Sequence, residues 1–464
     1  EIAKAGKIAK LGGFGEKSQD DILRALSEYK QGKGKTTRMV LPYAYEVAGK
    51  IVSYLKGFKY VKEAIALGSI RRMTATVGDI DIAVTTNHPK ETIEHFTSYP
   101  HKERLMEKGE TTASILISGG VQVDLMTQPP ESFGSLLQHF TGSKNHNVHL
   151  REYALKKGLS LSEYGIRNLT KKNQPLSKYD NEEKFYNALG LNWIPPEIRE
   201  NTGEIELSAL YKLPKLVEQK DIKGDLHIHS NFPIEPGHDL GHDSIEDMAA
   251  AAVKLGYEYL GLSEHNPSIS KHSASDIYTL IKIRNEHIEQ IKSKTKNIHI
   301  LKFLEVDILV NGDLAIDDKC LNLLDGAIVS IHSSFNMNKE DMTKRIIKGL
   351  SHPKTKILAH PTGRMIGTRQ GYELDFQKIF EFCRKYNKAL EINAWPNRLD
   401  LTDAIIRQAI ESKVKLVINT DSHTSSQMIL MKYGVAMARR GWATKDDIIN
   451  TLSYSKFSEW LKAG

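Results

Sequence analysis

From residue 223 onward the chain repeats one unit: an apolar run that ends in a metal-capable side chain, followed by a helix-like segment. "DLHIH" ends in His227 and His229, "YLGLSEH" in His265, "ILKFLEVDI" carries Glu305, "AIVSIH" ends in His332, "ILAHP" carries His360, and "LVINTDSH" ends in Asp421 and His423. With "ALEINAW" and Asn393, the runs number seven. Continuous apolar strands between helices predict a parallel sheet covered on both faces, and functional groups at strand C-termini predict a closed TIM-like barrel with its site at the mouth. One histidine after a strand is more often a packed or capping residue than a ligand, but the conjunction overturns that default. Imidazole and carboxylate ligands suit Zn, Mn or Fe, and two or three such ions can polarise a phosphate ester and ionise a bound water near neutral pH. The implied chemistry is phosphoester hydrolysis.

The N-terminal half carries a different constellation. "YVKEAIALGS" runs as a strand into a turn at Gly68 and Ser69, where backbone N–H groups, the Ser69 hydroxyl and the planar fork of Arg72 could hold a triphosphate. In "VGDIDIAV" the alternation puts Asp79 and Asp81 on one strand face and Ile80 and Ile82 on the other. Two like charges on one face repel unless a cation lies between them, and a divalent ion bound to substrate phosphates is the natural partner. Two-metal phosphoryl transfer asks for a third carboxylate nearby. "ASILISGGVQVDLMTQ" supplies it, as a Gly-Gly hairpin whose second strand presents Asp124.

Ahead of this region, "KLGGFGEKSQDDILRAL" places Gly13 and Gly15 around Phe14 before a helix start, like the second half of a helix-hairpin-helix. Such glycines let backbone N–H groups approach a DNA phosphate at a helix N-terminus. The plain alternative is an ordinary helical turn. The chain opens at Glu1 directly in helix-like sequence, so an upstream segment is expected to be missing and the first domain to be partial.

A length of 464 residues corresponds to about three domains. The net charge of +7 arises from 64 basic against 57 acidic residues, so positive charge must be local to steer a polyanion. The two cysteines, Cys320 and Cys383, cannot form a disulfide framework and read as packing thiols in a reducing cytosol. No apolar run reaches the ~18 residues of a membrane span. The expectation is a cytoplasmic monomer.

"GSIRR", "GDIDI" and "VQVDLM" together resemble the nucleotidyltransferase palm of the family X DNA polymerases. "HFTGSKNHNVHLR" is similar to the thumb segment of that family. The resemblance implies that Phe140 and Gly142 flank the nucleotide sugar, and that Asn147 and Arg151, four apart on one helix face, reach the minor-groove side of the nascent pair. His139 stands where animal repair members carry Tyr. Residues 187–230, punctuated by Pro195, Pro196 and Pro214, read as a domain junction and resemble the connector of bacterial and archaeal members that carry a C-terminal PHP (polymerase and histidinol phosphatase) domain. "HIH", "SEH", "LEVD", "SIHS", "AHP" and "TDSH" identify residues 223 to about 425 as a PHP domain.

That family also places an Asp several residues after the His-x-His pair. Here an insertion offers Asp239, the favoured ligand, and Asp243, which also fits the start of the helix "IEDMAAAAVKLG". His238 and His242 are expected to face solvent. Arg364, after "AHPTG", could meet a substrate phosphate.

The resemblance thus implies an α/β multidomain protein: a partial helix-hairpin-helix (1–32), a nucleotidyltransferase palm of mixed sheet and helices (33–130), a helical thumb (131–200), a linker (201–222) and a distorted TIM-like (βα)7 PHP barrel (223–464). Its implied activity is gap-filling DNA polymerisation on gapped or primer-template DNA with deoxynucleoside triphosphates, joined to metal-dependent 3′-5′ exonuclease or phosphoesterase action. Asp79, Asp81 and Asp124 would hold Mg²⁺ or Mn²⁺, and His227, His229, Asp239, His265, Glu305, His332, His360, Asp421 and His423 two or three Mn²⁺, Zn²⁺ or Fe ions. The competing readings are a small-molecule phosphatase with a vestigial palm and a DNA-end-binding scaffold in which neither centre turns over.

Overall fold

The computed structural model describes residues 38–463. Gly13 and Gly15 therefore lie outside the described residues. The chain divides between Lys212 and Leu213 into two compact units.

In the first unit, five strands form one mixed sheet in the order Glu63–Ala66, Ile80–Thr85, Val121–Gln128, Thr112–Ile117, Lys102–Lys108. Ile80–Thr85 and Val121–Gln128 run parallel at its centre, and their register sets Asp81 against Asp124. The helices Leu41–Lys56 and Pro89–Thr97 bury apolar stripes such as Leu41, Ala44, Ala48, Ile51 and Leu55 against this sheet. Leu67, Ala83, Met126, Phe133, Leu136 and Leu137 make a further core that seats the helix Phe133–Thr141 on the sheet. The following helix, Lys144–Leu155, is capped by Ser143, whose hydroxyl accepts the His146 N–H at 3.1 Å.

The second unit holds two fully parallel sheets. One orders Gly224–Ile228, Tyr259–Leu262 and His299–Lys302; the other orders Glu305–Asp307, Ala327–Ser330, Thr355–Leu358, Ala389–Asn393 and Lys415–Asn419. The run "ILKFLEVDI" supplies two strands, because Phe303 and Leu304 interrupt it and each half joins a different sheet. Single parallel bridges link the two sheets, His265, just past the strand Tyr259–Leu262, to Glu305, and Ile228 to Ser422. The core gathers Leu226, Tyr259, Phe303, Ile328, Val417 and Phe457. The helix Tyr454–Lys462 covers the end at which the strands begin: Lys356 donates to the Ala463 carbonyl at 2.8 Å, and a Cβ on Gly326 would strike Leu461. The opposite end is left for side chains with chemistry.

Candidate functional site

All strands of the second unit but His299–Lys302 deliver a polar group at or just past their ends to one mouth, and Glu305 is its centre. The Glu305 carboxylate is 1% exposed and meets five imidazoles: His265 Nδ1 at 3.0 Å, His360 Nε2 at 3.0 Å, His227 Nε2 at 3.2 Å, His332 Nε2 at 3.4 Å and His229 Nε2 at 3.6 Å. Asp421 Oδ1 lies 3.2 Å from His229 Nε2 and 3.5 Å from His227 Nε2. Asp239, on the exposed insertion, reaches His423 Nε2 at 3.2 Å and His265 Nε2 at 3.7 Å. The nine expected residues therefore converge, around a cavity of about 420 Å³.

Several of these nitrogens, among them His227 Nε2, both ring nitrogens of His229, His265 Nδ1 and His423 Nε2, are buried without a hydrogen-bond partner. A buried imidazole lone pair left unmatched is costly, and a cation satisfies it. Sets such as His227, Glu305 and His360, or His265, Glu305 and His332, place three ligand atoms within 4.8 Å of one another. The donor set fits hard-to-borderline divalent ions.

The electrostatics agree. Burial pushes His229 and His360 down to about 4, so both are neutral and ready to ligate near pH 7. Burial alone would raise Glu305, but the surrounding imidazoles outweigh it and hold the carboxyl well below its usual range. Burial likewise opposes charge on His227, yet Glu391, Asp421 and Glu305 raise it. Outer partners aim the rings: His227 Nδ1 meets Glu391 Oε1 at 2.7 Å, His332 Nδ1 meets Asp307 Oδ1 at 2.7 Å, and His423 Nδ1 meets the Asp421 carbonyl at 3.0 Å.

The insertion differs in part from expectation. His238 and His242 are exposed, as expected, and both also line the cavity, where His238 Nε2 pairs with Asp307 Oδ2 at 3.1 Å. Asp243 does not start the helix Ile245–Lys254, which Ser244 caps; its carboxylate accepts the backbone N–H and hydroxyl of Ser425, at 2.7 and 2.6 Å. Arg364 is engaged by the protein itself: its guanidinium donates to the carbonyls of Arg398, at 2.8 Å, and Leu399. It is Arg398 that lines the cavity, its Nε 3.6 Å from Asp421 Oδ2.

Sequence reasoning passed over Glu391 and Asp307. Both had a visible signal, an acid inside a buried strand and an acid two residues from Glu305 on the same face. Glu264 forms a buried ion pair with Arg284, Nε to Oε2 2.7 Å, and also accepts from Ser230, fixing the segments that carry His229 and His265. Nothing in the spacing announced Arg284.

In the first unit the turn Gly68–Arg71 rides over Asp81. Gly68 has φ of +55°, and a Cβ there would strike the Asp81 carboxylate, so glycine is required twice over. Ser69 is half-buried, with its hydroxyl unpaired among the described residues. Arg72 donates to Glu200 Oε1 at 2.9 Å and to the Thr141 carbonyl at 2.8 Å. Burial, then the charges of Asp79 and Asp124, push Asp81 up to about 7. Asp124 accepts from Gln122 at 3.0 Å and from the Ser114 hydroxyl. Asp81 and Asp124 are brought together; with the exposed Asp79 they do not form a close three-ligand set of the kind found in the second unit.

Phe140 lies in the last turn of the helix Phe133–Thr141 and Gly142 follows it, both half-buried. Asn147 reaches back to the His139 carbonyl at 2.7 Å and accepts from Gln138 at 3.1 Å, while Arg151, one turn on, is exposed. Beneath them Glu182 binds Arg71, 2.6 Å, and Arg199, 2.5 Å, and Arg71 also donates to Thr141 Oγ1 at 2.5 Å.

Residues 136–200 match the family model described as the DNA polymerase beta thumb. Over all 464 residues the chain is 38% identical to the DNA polymerase/3′-5′ exonuclease PolX of Bacillus subtilis (strain 168), covering 79% of that relative. Its C-terminal half is similar to probable phosphatases: one of Thermoanaerobacter sp. (strain X514) is 27% identical over 248 residues, 51% of this chain and 94% of the relative. Another, of Clostridium acetobutylicum, is 28% identical over 210 residues, 43% of this chain and 79% of the relative. Whole-length likeness to the first, with the thumb match and the phosphatase-like half, places the chain in the PolX family of DNA polymerase/3′-5′ exonucleases.

Proposed function

We infer that the protein is a DNA-directed DNA polymerase of family X, suited to gap-filling repair synthesis, with a metal-dependent 3′-5′ exonuclease or phosphoesterase centre. The observation that carries the reading is the pairing of two separate acidic centres, Asp81 beside Asp124 in one unit and the Glu305 cluster in the other. Residues 33–130 serve as palm, 131–200 as thumb, 201–222 as linker and 223–464 as a PHP domain of barrel type, a reading supported by the single parallel bridges between its two sheets.

In the palm, Asp79, Asp81 and Asp124 hold Mg²⁺ or Mn²⁺, Ser69 and Arg72 bind the leaving phosphates, and Phe140, Gly142, Asn147 and Arg151 face the nucleotide. In the barrel the nine residues around Glu305 hold two or three Mn²⁺, Zn²⁺ or Fe ions, and Glu391 and Asp307 keep the His227 and His332 rings turned inward. Ions bound at the two centres supply the charge that activates a primer hydroxyl in one and a water in the other. Among the described residues, no helix is long and apolar enough to cross a membrane. The reading places the protein in the cytoplasm as a monomer, with both cysteines buried and free.

A labelled gapped primer-template incubated with Mn²⁺ tests this. Extension with the four deoxynucleotides and shortening without them is expected; no change in primer length overturns it and favours a small-molecule phosphatase or a scaffold.

A further inference from the structure

Trp395 and Arg398 belong to neither the ligand set nor the partners that aim it, yet both line the cavity over Glu305. They come from the turn that follows the strand Ala389–Asn393. Within that turn the Trp395 carbonyl accepts the N–H groups of Arg398 and Leu399, each at 2.9 Å, and Asn393 Oδ1 accepts the Trp395 N–H at 2.9 Å. Leu399 has φ of +42°, an uncommon conformation for a branched residue that only a well-determined surrounding holds.

The surrounding is built for it. Arg364 gives its guanidinium to the carbonyls of Arg398 and Leu399, and buried Asp400 accepts the N–H and hydroxyl of Thr362, at 3.0 and 2.8 Å. A second arginine and a buried acid thus fix a short turn whose side chains at 395 and 398 remain half-buried at the mouth.

What they present is specific. Among the residues lining the cavity, Arg398 carries the permanent positive charge, and its contact with Asp421 is too long, at 3.6 Å, to use its donors as a hydrogen bond. Its planar fork is therefore available to a phosphate oxygen. The Trp395 ring stands across His423, with centroids 6.0 Å apart at 62°, rather than stacked on it. No ring of a described residue stacks on the half-buried indole, and an indole face is a general stacking surface for a base.

We propose that Trp395 and Arg398 form a nucleotide subsite of the phosphoesterase centre, the indole stacking on the base of the terminal nucleotide and the guanidinium holding a phosphate oxygen. The subsite makes the centre favour nucleic acid over base-free phosphodiesters. It rests on the reading of the Glu305 cluster as a phosphoesterase.

The test compares kcat/KM for a thymidine dinucleotide with that for bis(p-nitrophenyl) phosphate, using the full chain with Mn²⁺. Trp395→Ala is expected to lower the dinucleotide-to-diester ratio about tenfold, the worth of stacking one base, and Trp395→Phe to restore most of it. Arg398→Gln should raise KM for both substrates together, because both present a phosphate, with Mn²⁺ content per chain equal to that of the parent. An unchanged ratio in Trp395→Ala, or an unchanged KM in Arg398→Gln, overturns the subsite while leaving the phosphoesterase in place. A parent protein that cleaves neither compound overturns the phosphoesterase reading itself.

Discussion

Asp81 and Asp124 stand opposite each other on adjacent parallel strands, and the Asp81 carboxyl is pushed up to about 7 by burial first and by its acidic neighbours second. A divalent ion must displace that proton. Below pH 7 the Mg²⁺ needed for half-maximal primer extension should therefore rise, approaching tenfold per pH unit for a single competing proton. A requirement that stays flat between pH 6 and 8 would contradict this assignment.

The same shift has a stability sign. In the unfolded chain an Asp ionises near 3.8, in the native protein near 7, so its burial destabilises the fold progressively as pH rises through that window. Asp81→Asn is expected to abolish primer extension while raising the melting temperature of the chelated protein at pH 8 relative to the parent, with the gain vanishing near pH 4. Thermal melts at the two pH values check it.

Glu305 is the one carboxylate that five imidazoles face. Glu305→Ala should remove at least one bound ion per chain and lower exonuclease turnover by more than about 100-fold, with primer extension retained. Metal analysis after dialysis, alongside both gel activities, reads the outcome; full metal content in the variant would show that the cluster is organised around something else.

Asp307 aims His332 and also holds His238. Asp307→Asn keeps the size and removes the charge, and partners of this kind typically contribute about 10–100-fold to metal affinity. Competition against a chelator should show a weakening in that range, with circular dichroism unaltered.

Glu182 neutralises two arginines, one of them fully buried. Removing a single partner from a buried pair costs about 3–5 kcal/mol, because an uncompensated charge is left inside. Glu182→Gln should lower the first unit's unfolding midpoint accordingly; Glu182→Asp, which keeps the charge, should recover part of it.

How far these features were legible depends on their range. Asp81 and Asp124 were found because a strand's period of two and a Gly-Gly hairpin are local codes, and the histidines because each closes an apolar run. The gap at Phe303 and Leu304, which splits one run between two sheets, has no local signature, since both residues are as apolar as their neighbours. The contacts of His238 and Arg364 were out of view for the same reason: what each binds, Asp307 and the carbonyls of 398 and 399, lies 69 and about 35 residues away. Glu391 was hidden by Asn393 beside it, which looked like the strand's functional end but donates to Glu391 at 3.0 Å.

The Arg71, Glu182 and Arg199 contacts carry a mechanical meaning. Because Arg71 belongs to the Gly68–Arg71 turn and also grips Thr141 at the end of the helix Phe133–Thr141, neither can be displaced alone without stranding a buried charge. The Gly68–Arg71 turn and the end of the helix Phe133–Thr141 must travel as one piece, so any closing movement of this unit has its hinge outside them.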